Sequence, residues 1–124
     1  MPSASKGVVL VVDDDEDNAH LLQLGLEHQG FRVEVASSLE EARRMLASCS
    51  FDAIVTDLSL GDGTALELLT ALGGARPRVA ILVTGHGGDE DRERSAAAGF
   101  DAHFVKPIEL AALGRTLTAA LVAS

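Results

Sequence analysis

Apolar residues fall into five short runs along the chain, and most of these runs stop at a polar or charged side chain. Residues 8–12 are continuously apolar, which is typical of a strand buried on both faces. Residues 31–35 alternate between apolar and charged positions, which predicts a half-exposed strand at the edge of a sheet. Three more strands are predicted at 53–57, 79–84 and 102–105.

Between these runs, apolar residues recur at every third or fourth position, the spacing of an amphipathic helix. Ser38 and Glu41 form a capping box, which predicts the start of one helix. The third helix is expected to bury Leu66, Leu69 and Leu72 on one face. The predicted helices lie at 18–29, from Ser38 onward, at 65–73, at 89–98 and at 109–122.

Strands and helices therefore alternate along the whole chain. Such alternation implies right-handed crossovers and a parallel sheet. The predicted fold class is α/β, a doubly wound five-stranded parallel sheet with helices on both faces. Alternation alone leaves Rossmann-like and flavodoxin-like strand orders open. The absence of a Gly-rich turn after the first strand argues against a dinucleotide-binding Rossmann domain.

The chain has 124 residues, the usual size of one domain. Its net charge of −9 argues against nonspecific binding to nucleic acid or to an anionic membrane surface. No apolar run approaches the roughly 20 residues of a membrane span, and residues 1–6 lack the apolar stretch of a signal peptide. The single cysteine, Cys49, allows no intrachain disulfide, which fits a reducing compartment. We therefore expect a cytoplasmic domain that binds neither nucleic acid nor membrane directly.

Side chains of complementary chemistry follow four of the predicted strands. Asp13 and Asp14 follow the first strand, Asp57 ends the third, Thr84 ends the fourth, and Lys106 follows the fifth. In an open parallel sheet, the carboxyl ends of the strands form the edge at which ligands bind. Adjacent carboxylates repel one another and invite a divalent cation. The lysine and the threonine suit an oxyanion such as a phosphoryl group. Any one of these residues alone is a weak signal, but the whole set indicates a site that binds a divalent cation and a phosphoryl group.

Taken together, these positions resemble the receiver domain of response regulators in two-component signalling. The resemblance extends from about residue 6 to about residue 121, and residues 6–124 are predicted to form one receiver domain with the flavodoxin-like strand order 2-1-3-4-5. The segments that follow Asp57 and precede Pro107 are most similar to receivers attached to hybrid sensor kinases. The matching motifs are the acidic pair Asp13-Asp14, Asp57 in DLSLGDG, Thr84 in LVTGHG, and Lys106-Pro107 in FVKP.

The resemblance implies a role for each acid at this edge. Asp57 would be the phosphoacceptor. Asp14, Asp57 and the backbone carbonyl of Ser59 would bind Mg²⁺, and Asp13 would assist. Mg²⁺ suits this set because it prefers octahedral oxygen ligands and keeps some of its waters.

The resemblance also assigns the remaining polar groups. Thr84 and Lys106 would bind the phosphoryl oxygens and so act as the catalytic groups. Thr84 would in addition form a switch with His103, which lies three residues before Lys106, where the family usually has an aromatic side chain. The plainer interpretation of His103, a half-exposed strand histidine, stands beside the switch role.

In function, the resemblance implies a signalling domain rather than an enzyme. Asp57 would accept a phosphoryl group from a histidine kinase or a histidine phosphotransfer protein. The modification would then switch a partner-binding surface. The domain would promote its own phosphotransfer and a slow autodephosphorylation, and a phosphorylation-dependent homodimer is left open.

Two other functions compete with this one. Haloacid-dehalogenase-type phosphatases also place two aspartates two residues apart after their first strand, as Asp13 and Asp15 are placed here. That family has Thr or Val where this chain has Asp17, and this chain leaves no room for its cap. A helix N-terminus explains Asp15 and Asp17 better, since the helix dipole favours acids there. The third function is a phosphorylation-independent interaction module, against which the complete set of site residues argues.

Overall fold

The computed structural model describes residues 7–73, 76–85, 97, 99–106 and 108–123. The helix predicted at 89–98 lies outside the described residues except for Ala97, and Pro107 lies outside them as well. Within the described part of the chain, no helix has both the length and the apolar character needed to cross a membrane.

Five parallel strands form one sheet, in the spatial order β2-β1-β3-β4-β5. The middle strands β1, β3 and β4 are buried because nearly all of their side chains are apolar. The predicted flavodoxin-like order is confirmed, and β2 lies at an edge, as its alternating pattern indicated. The strands are β1 (Val8–Val12), β2 (Arg32–Ala36), β3 (Ala53–Asp57), β4 (Val79–Thr84) and β5 (Ala102–Val105).

Helices cover both faces of this sheet. On one face, α1 and α4 bury Leu26 and Leu117 against the sheet. On the other face, α2 and α3 bury Ala42 and Leu68. The predicted doubly wound architecture is therefore confirmed. The described helices are α1 (Glu16–His28), α2 (Leu39–Ser48), α3 (Ala65–Leu72) and α4 (Leu110–Ala123).

Helix α1 begins two residues earlier than predicted because Asp15 caps it. The Asp15 carboxylate accepts hydrogen bonds from the backbone N–H of Asp17 at 3.0 Å and from that of Asn18 at 3.3 Å. Glu16 and Asp17 occupy the first turn, where the helix dipole favours negative charge. The capping interpretation of these acids is confirmed.

The inner face of α3 is broader than predicted. Leu69 is buried as predicted, and Leu66 and Leu72 are partly buried against the same core. Ala65 and Leu68 are buried as well, which was not predicted. Thr64 caps this helix, so the helix begins at Ala65, the predicted first residue.

The loop after β3 contains a two-stranded ribbon that was not predicted. Ser59–Leu60 pairs antiparallel with Gly63–Thr64, and Leu60 is buried against the sheet. The ribbon begins two residues beyond Asp57, so the chain next to this acid is folded back onto the domain.

Candidate functional site

The carboxyl edge of the sheet brings together the acids that follow β1 and β3. These strands are neighbours, and Val12 pairs with Thr56, so Asp13 and Asp57 leave the sheet at the same level. One carboxylate oxygen from each of Asp13, Asp14 and Asp57 lies within 4.8 Å of the other two. The three acids proposed from the sequence thus form one cluster.

This cluster fits a small divalent cation. Oxygen ligands of Mg²⁺ lie about 2.1 Å from the ion, so two of them are at most about 4.2 Å apart. The three oxygens lie within 4.8 Å of one another, so at most a small contraction brings them to that geometry. Asp14 is exposed and Asp57 is partly exposed, which leaves an open side for the waters that Mg²⁺ retains. Ser59, the fourth proposed ligand, begins the ribbon on the same loop as Asp57.

Lys106 is held at this edge by the sheet itself. Its backbone N–H donates to the carbonyl of Thr84 at 2.8 Å, which extends the pairing of β5 with β4 by one residue. Its ammonium donates a hydrogen bond to Oδ2 of Asp57 at 3.0 Å and lies 3.9 Å from Oδ2 of Asp13. One cation therefore contacts carboxylates from two neighbouring strands.

Asp13 is enclosed, with only 3% of its surface exposed. Burial raises the pKa of its carboxyl group above the ordinary value. The N–H of Asp15, 2.9 Å from Oδ1, and the ammonium of Lys106 lower this pKa, while the charges of Asp57 and Asp14 raise it further. Repulsion between the carboxylates, which the sequence indicated, is thus a smaller contribution than burial.

The pKa of Lys106 is also shifted. Burial lowers this pKa, but the hydrogen bond to Asp57 and the charges of Asp57, Asp13 and Asp15 together raise it by more. The net shift is upward, so the side chain remains a cation at neutral pH and can offset the acids around it.

Thr84 and His103 lie on the same face of the sheet. Thr84 ends β4 opposite Val105, and His103 lies opposite Leu82 on the adjacent strand. Because side chains alternate along a strand, Phe104 faces the other way, where it packs with the cluster beneath α1 and α4. Thr84 is buried and His103 is partly buried. The two proposed switch residues therefore occupy diagonal positions on neighbouring strands.

Sequence reasoning missed a groove that opens between α1 and the segment after β5. The groove has a volume of about 440 Å³ and borders both Asp13 and Lys106. Leu21 lies on the rim of the groove and is 59% exposed. An apolar residue outside the buried stripe of α1 was the sequence signal that could have indicated this groove. The apolar part of its wall is formed by Leu21, Leu22, Val83, Ile108 and Leu110.

A flavodoxin-like sheet with an acid cluster, a threonine and a lysine at one edge defines a class of phosphorylation-dependent signalling domain. Comparison with known proteins gives the family. The family model described as "Response regulator receiver domain" matches residues 9–118. The chain belongs to the response regulator receiver domains of two-component signalling. This membership favours a signalling role over the haloacid-dehalogenase alternative.

Individual relatives agree with this assignment. The chain is 30% identical to the response regulator protein PilR of Pseudomonas aeruginosa over 118 residues, which is 94% of this chain and 26% of PilR. The chain spans 26% to 46% of the length of several curated relatives that it matches.

Solved structures share the fold. A CheY-like response regulator receiver domain protein from Methanospirillum hungatei has a TM-score of 0.86 and 30% identity, with 94% of both chains covered. The signal receiver domain of a signal transduction histidine kinase from Syntrophus aciditrophicus has a TM-score of 0.83 and 27% identity, with 94% of this chain and 91% of that chain covered. The first matches a receiver domain protein and the second a receiver within a kinase.

Proposed function

We propose that Asp57 accepts a phosphoryl group from the phosphohistidine of a histidine kinase or a histidine phosphotransfer protein, in a Mg²⁺-dependent reaction. The observation that carries this proposal is the 3.0 Å hydrogen bond from Lys106 to Asp57 inside the acid cluster. The side chain of Asp57 is 16% exposed and that of Asp13 only 3%, so a donor can reach the first more readily than the second. Asp57 is therefore accessible to a donor and is hydrogen-bonded to the ammonium of Lys106.

The transfer is a substitution at phosphorus. A carboxylate oxygen of Asp57 forms a bond to phosphorus while the bond from phosphorus to the histidine nitrogen breaks, and the imidazole leaves with the electron pair. The ammonium of Lys106 already contacts Asp57 and is placed to bind an oxygen of the incoming phosphoryl group. The hydroxyl of Thr84, from the end of the next strand, would bind another oxygen. Such positioning and charge neutralisation account for most of the catalysis of phosphoryl transfer.

Asp13, Asp14, Asp57 and the backbone carbonyl of Ser59 would hold Mg²⁺. The bound ion supplies positive charge to the phosphoryl oxygens. Asp13 is oriented for this role by the N–H of Asp15, which donates to its Oδ1. Asp14 is exposed and would approach the ion from the solvent side.

Phosphorylation would act on a partner through the edge of the sheet. The hydroxyl of Thr84 would move toward the phosphoryl group, and the ring of His103 would fill the space it leaves. The surface of β5 and α4 would change with them. The apolar groove borders Lys106, which contacts Asp57, so part of a donor protein that reaches Asp57 would cover this groove. Slow autodephosphorylation and a phosphorylation-dependent homodimer belong to the same proposal.

The comparisons support two proposals for the kind of larger protein to which this domain belongs. The likeness to a receiver of a histidine kinase supports an origin in a hybrid sensor kinase. The likeness to response regulators such as PilR supports an origin in a regulator instead. A cytoplasmic location agrees with both, since either would meet its donor there.

Intact mass spectrometry after incubation with Mg²⁺ and acetyl phosphate tests the proposed function. We expect one added phosphoryl group on the wild type and none on Asp57→Asn, which keeps the size of the side chain but removes the nucleophile. Omission of Mg²⁺ should prevent the addition. Equal labelling of both proteins would refute the assignment of Asp57.

A further inference from the structure

The carboxylate of Asp62 links the loop after Asp57 to the start of α2. Its Oδ1 accepts a hydrogen bond from the backbone N–H of Leu39 at 2.9 Å, and its Oδ2 accepts one from that of Glu40 at 3.1 Å. These two bonds favour the ionised form and hold the pKa of Asp62 below its ordinary value. The helix dipole of α2 favours a negative charge at the same place.

Helix α2 has a cap of its own besides Asp62. The hydroxyl of Ser38 accepts a hydrogen bond from the N–H of Glu41 at 3.1 Å, and the Glu41 carboxylate accepts one from the N–H of Ser37 at 2.6 Å. Asp62 thus accepts hydrogen bonds from the first two N–H groups of α2, those of Leu39 and Glu40, which the local cap does not bind. Its contribution to the loop is separable from its contribution to the helix, because Ser38 caps the helix without contacting the loop through these bonds.

Further backbone hydrogen bonds and close packing restrict the rest of the loop while Asp62 is hydrogen-bonded to α2. The N–H of Ala65 donates to the carbonyl of Leu58 at 2.9 Å, and the N–H of Leu58 donates to the carbonyl of Val83 at 3.1 Å. Gly63 has a φ of +148°, and a Cβ built on it would lie 2.5 Å from a methyl carbon of Leu39. The ribbon therefore packs directly on the first residue of α2, at the point where Asp62 binds.

We propose that Asp62 is a positioning residue of the phosphoacceptor site, which fixes the backbone of Ser59 beside Asp57 by tying their loop to α2. This inference rests on the proposed function, because Ser59 matters only as a ligand of the Mg²⁺ that assists transfer to Asp57. Asp62 touches neither the metal nor the phosphoryl group in this account. Its loss should weaken Mg²⁺ binding, since removal of a group that orients a metal ligand typically costs about 10- to 100-fold in affinity.

The test compares Asp62→Ala with Ser38→Ala, a control that also removes a cap of α2 but leaves the loop tied down. Mg²⁺ affinity is measured by titration of the amide resonances of residues 57–64 with MgCl₂ alone, and hydrogen exchange is followed at Leu39 and Glu40. We expect Asp62→Ala to raise the Mg²⁺ dissociation constant about tenfold or more. It should also expose the Leu39 and Glu40 amides to exchange. Ser38→Ala should leave the dissociation constant close to that of wild type, because the loop remains bound to α2 through Asp62.

A third variant separates positioning from simple destabilisation. Asp62→Asn keeps one acceptor oxygen, so it should recover part of the Mg²⁺ affinity lost in Asp62→Ala. If Asp62→Ala and Ser38→Ala weaken Mg²⁺ binding equally, Asp62 is only a helix cap and the inference fails. If the wild type binds Mg²⁺ but Asp57 is never phosphorylated, the proposed function fails, whereas an affinity lost only in Asp62→Ala would still uphold the positioning role.

Discussion

The ammonium of Lys106 lies 3.0 Å from Oδ2 of Asp57, although β4 separates the strands that carry these two residues. The contact is made possible by the register of β5, which places Lys106 one residue beyond the last strand pair. In the proposed function, this lysine would neutralise the acid before transfer and would follow the charge onto the phosphoryl group afterwards. It would therefore connect the chemistry of the site with β5, the strand that precedes α4 in the chain.

Replacement of Lys106 should separate chemistry from signalling. Lys106→Ala is expected to slow phosphorylation by acetyl phosphate by less than Asp14→Ala does, within the roughly 10²–10³-fold typical of losing one charge-stabilising group. It should nevertheless abolish the conformational response, because the cation that follows the phosphoryl group is gone. Amide chemical shifts with and without beryllofluoride measure that response. Arg115→Ala is the control for loss of one positive charge, because Arg115 forms an exposed ion pair with Glu109. A full response in Lys106→Ala would contradict the role of the lysine.

Asp13 should make the metal-free domain less stable as the pH rises. Its folded-state pKa lies above the ordinary 3.8, so the folded state holds this proton more tightly than the unfolded state does. Stability then falls as the pH rises from 3.8 through the folded-state pKa. Asp13→Asn removes this penalty and should raise the free energy of unfolding at neutral pH by about 0.5–2 kcal/mol, the range of single stabilising substitutions.

Urea denaturation in EDTA, at neutral pH and at pH 3.8, the ordinary pKa of the group, checks this prediction, because the folded state already holds the proton at the lower pH. The advantage of Asp13→Asn should shrink at the lower pH. An advantage that is absent, or that grows toward acid, would show that burial of Asp13 carries no such penalty.

The acid cluster should make stability depend on Mg²⁺. A ligand that binds only the folded state adds about 2.7 kcal/mol at one hundred times its dissociation constant. Wild type should therefore gain stability with MgCl₂, and Asp14→Ala should gain almost none. Asp17→Ala removes an exposed acid from the first turn of α1, outside the cluster, and should behave like wild type. Thermal unfolding with and without MgCl₂ measures the effect, and an unchanged gain in Asp14→Ala would remove Asp14 from the metal site.

Replacement of His103 should show whether this residue takes part in the switch. His103 lies on the strand next to Thr84 and on the same face of the sheet. If it takes part, beryllofluoride should give a weaker amide chemical-shift response at Thr84 in His103→Ala than in wild type. Normal switching by His103→Ala would leave His103 as an ordinary strand histidine.

The sheet and most of its edge chemistry were predictable because they depend on local patterns. Continuous apolar runs mark strands buried on both faces, as in β1, and alternation marks the edge strand β2. Once the strands are parallel, the residues that follow them meet at one edge. The flavodoxin-like order, which the family resemblance implied, then makes β1 and β3 neighbours and brings Asp13 close to Asp57. The full inner face of α3 was harder to predict, because the burial of Ala65 and Leu68 depends on how the helix packs on the sheet.

The link from Asp62 to α2 was not predictable from local pattern. The aspartate and the N–H groups it binds are separated by 23 and 22 residues, and a Gly-Asp-Gly turn explains an exposed acid equally well. The burial of Asp13 was hidden for a related reason. In the sequence it is one of three consecutive acids, and no local pattern shows that its N–H pairs with the carbonyl of Ala36 or that its side chain is buried.

Chemical trapping of the phosphorylated residue tests the central claim most directly. Borohydride reduces an aspartyl phosphate to homoserine, so treatment after incubation with Mg²⁺ and a phosphohistidine donor marks the acceptor covalently. Peptide mass mapping should then find homoserine at position 57 alone, and none when the protein was not incubated with the donor. Homoserine at position 13 or 14, or no homoserine in a sample shown to be phosphorylated, would contradict the assignment of Asp57 as the phosphoacceptor.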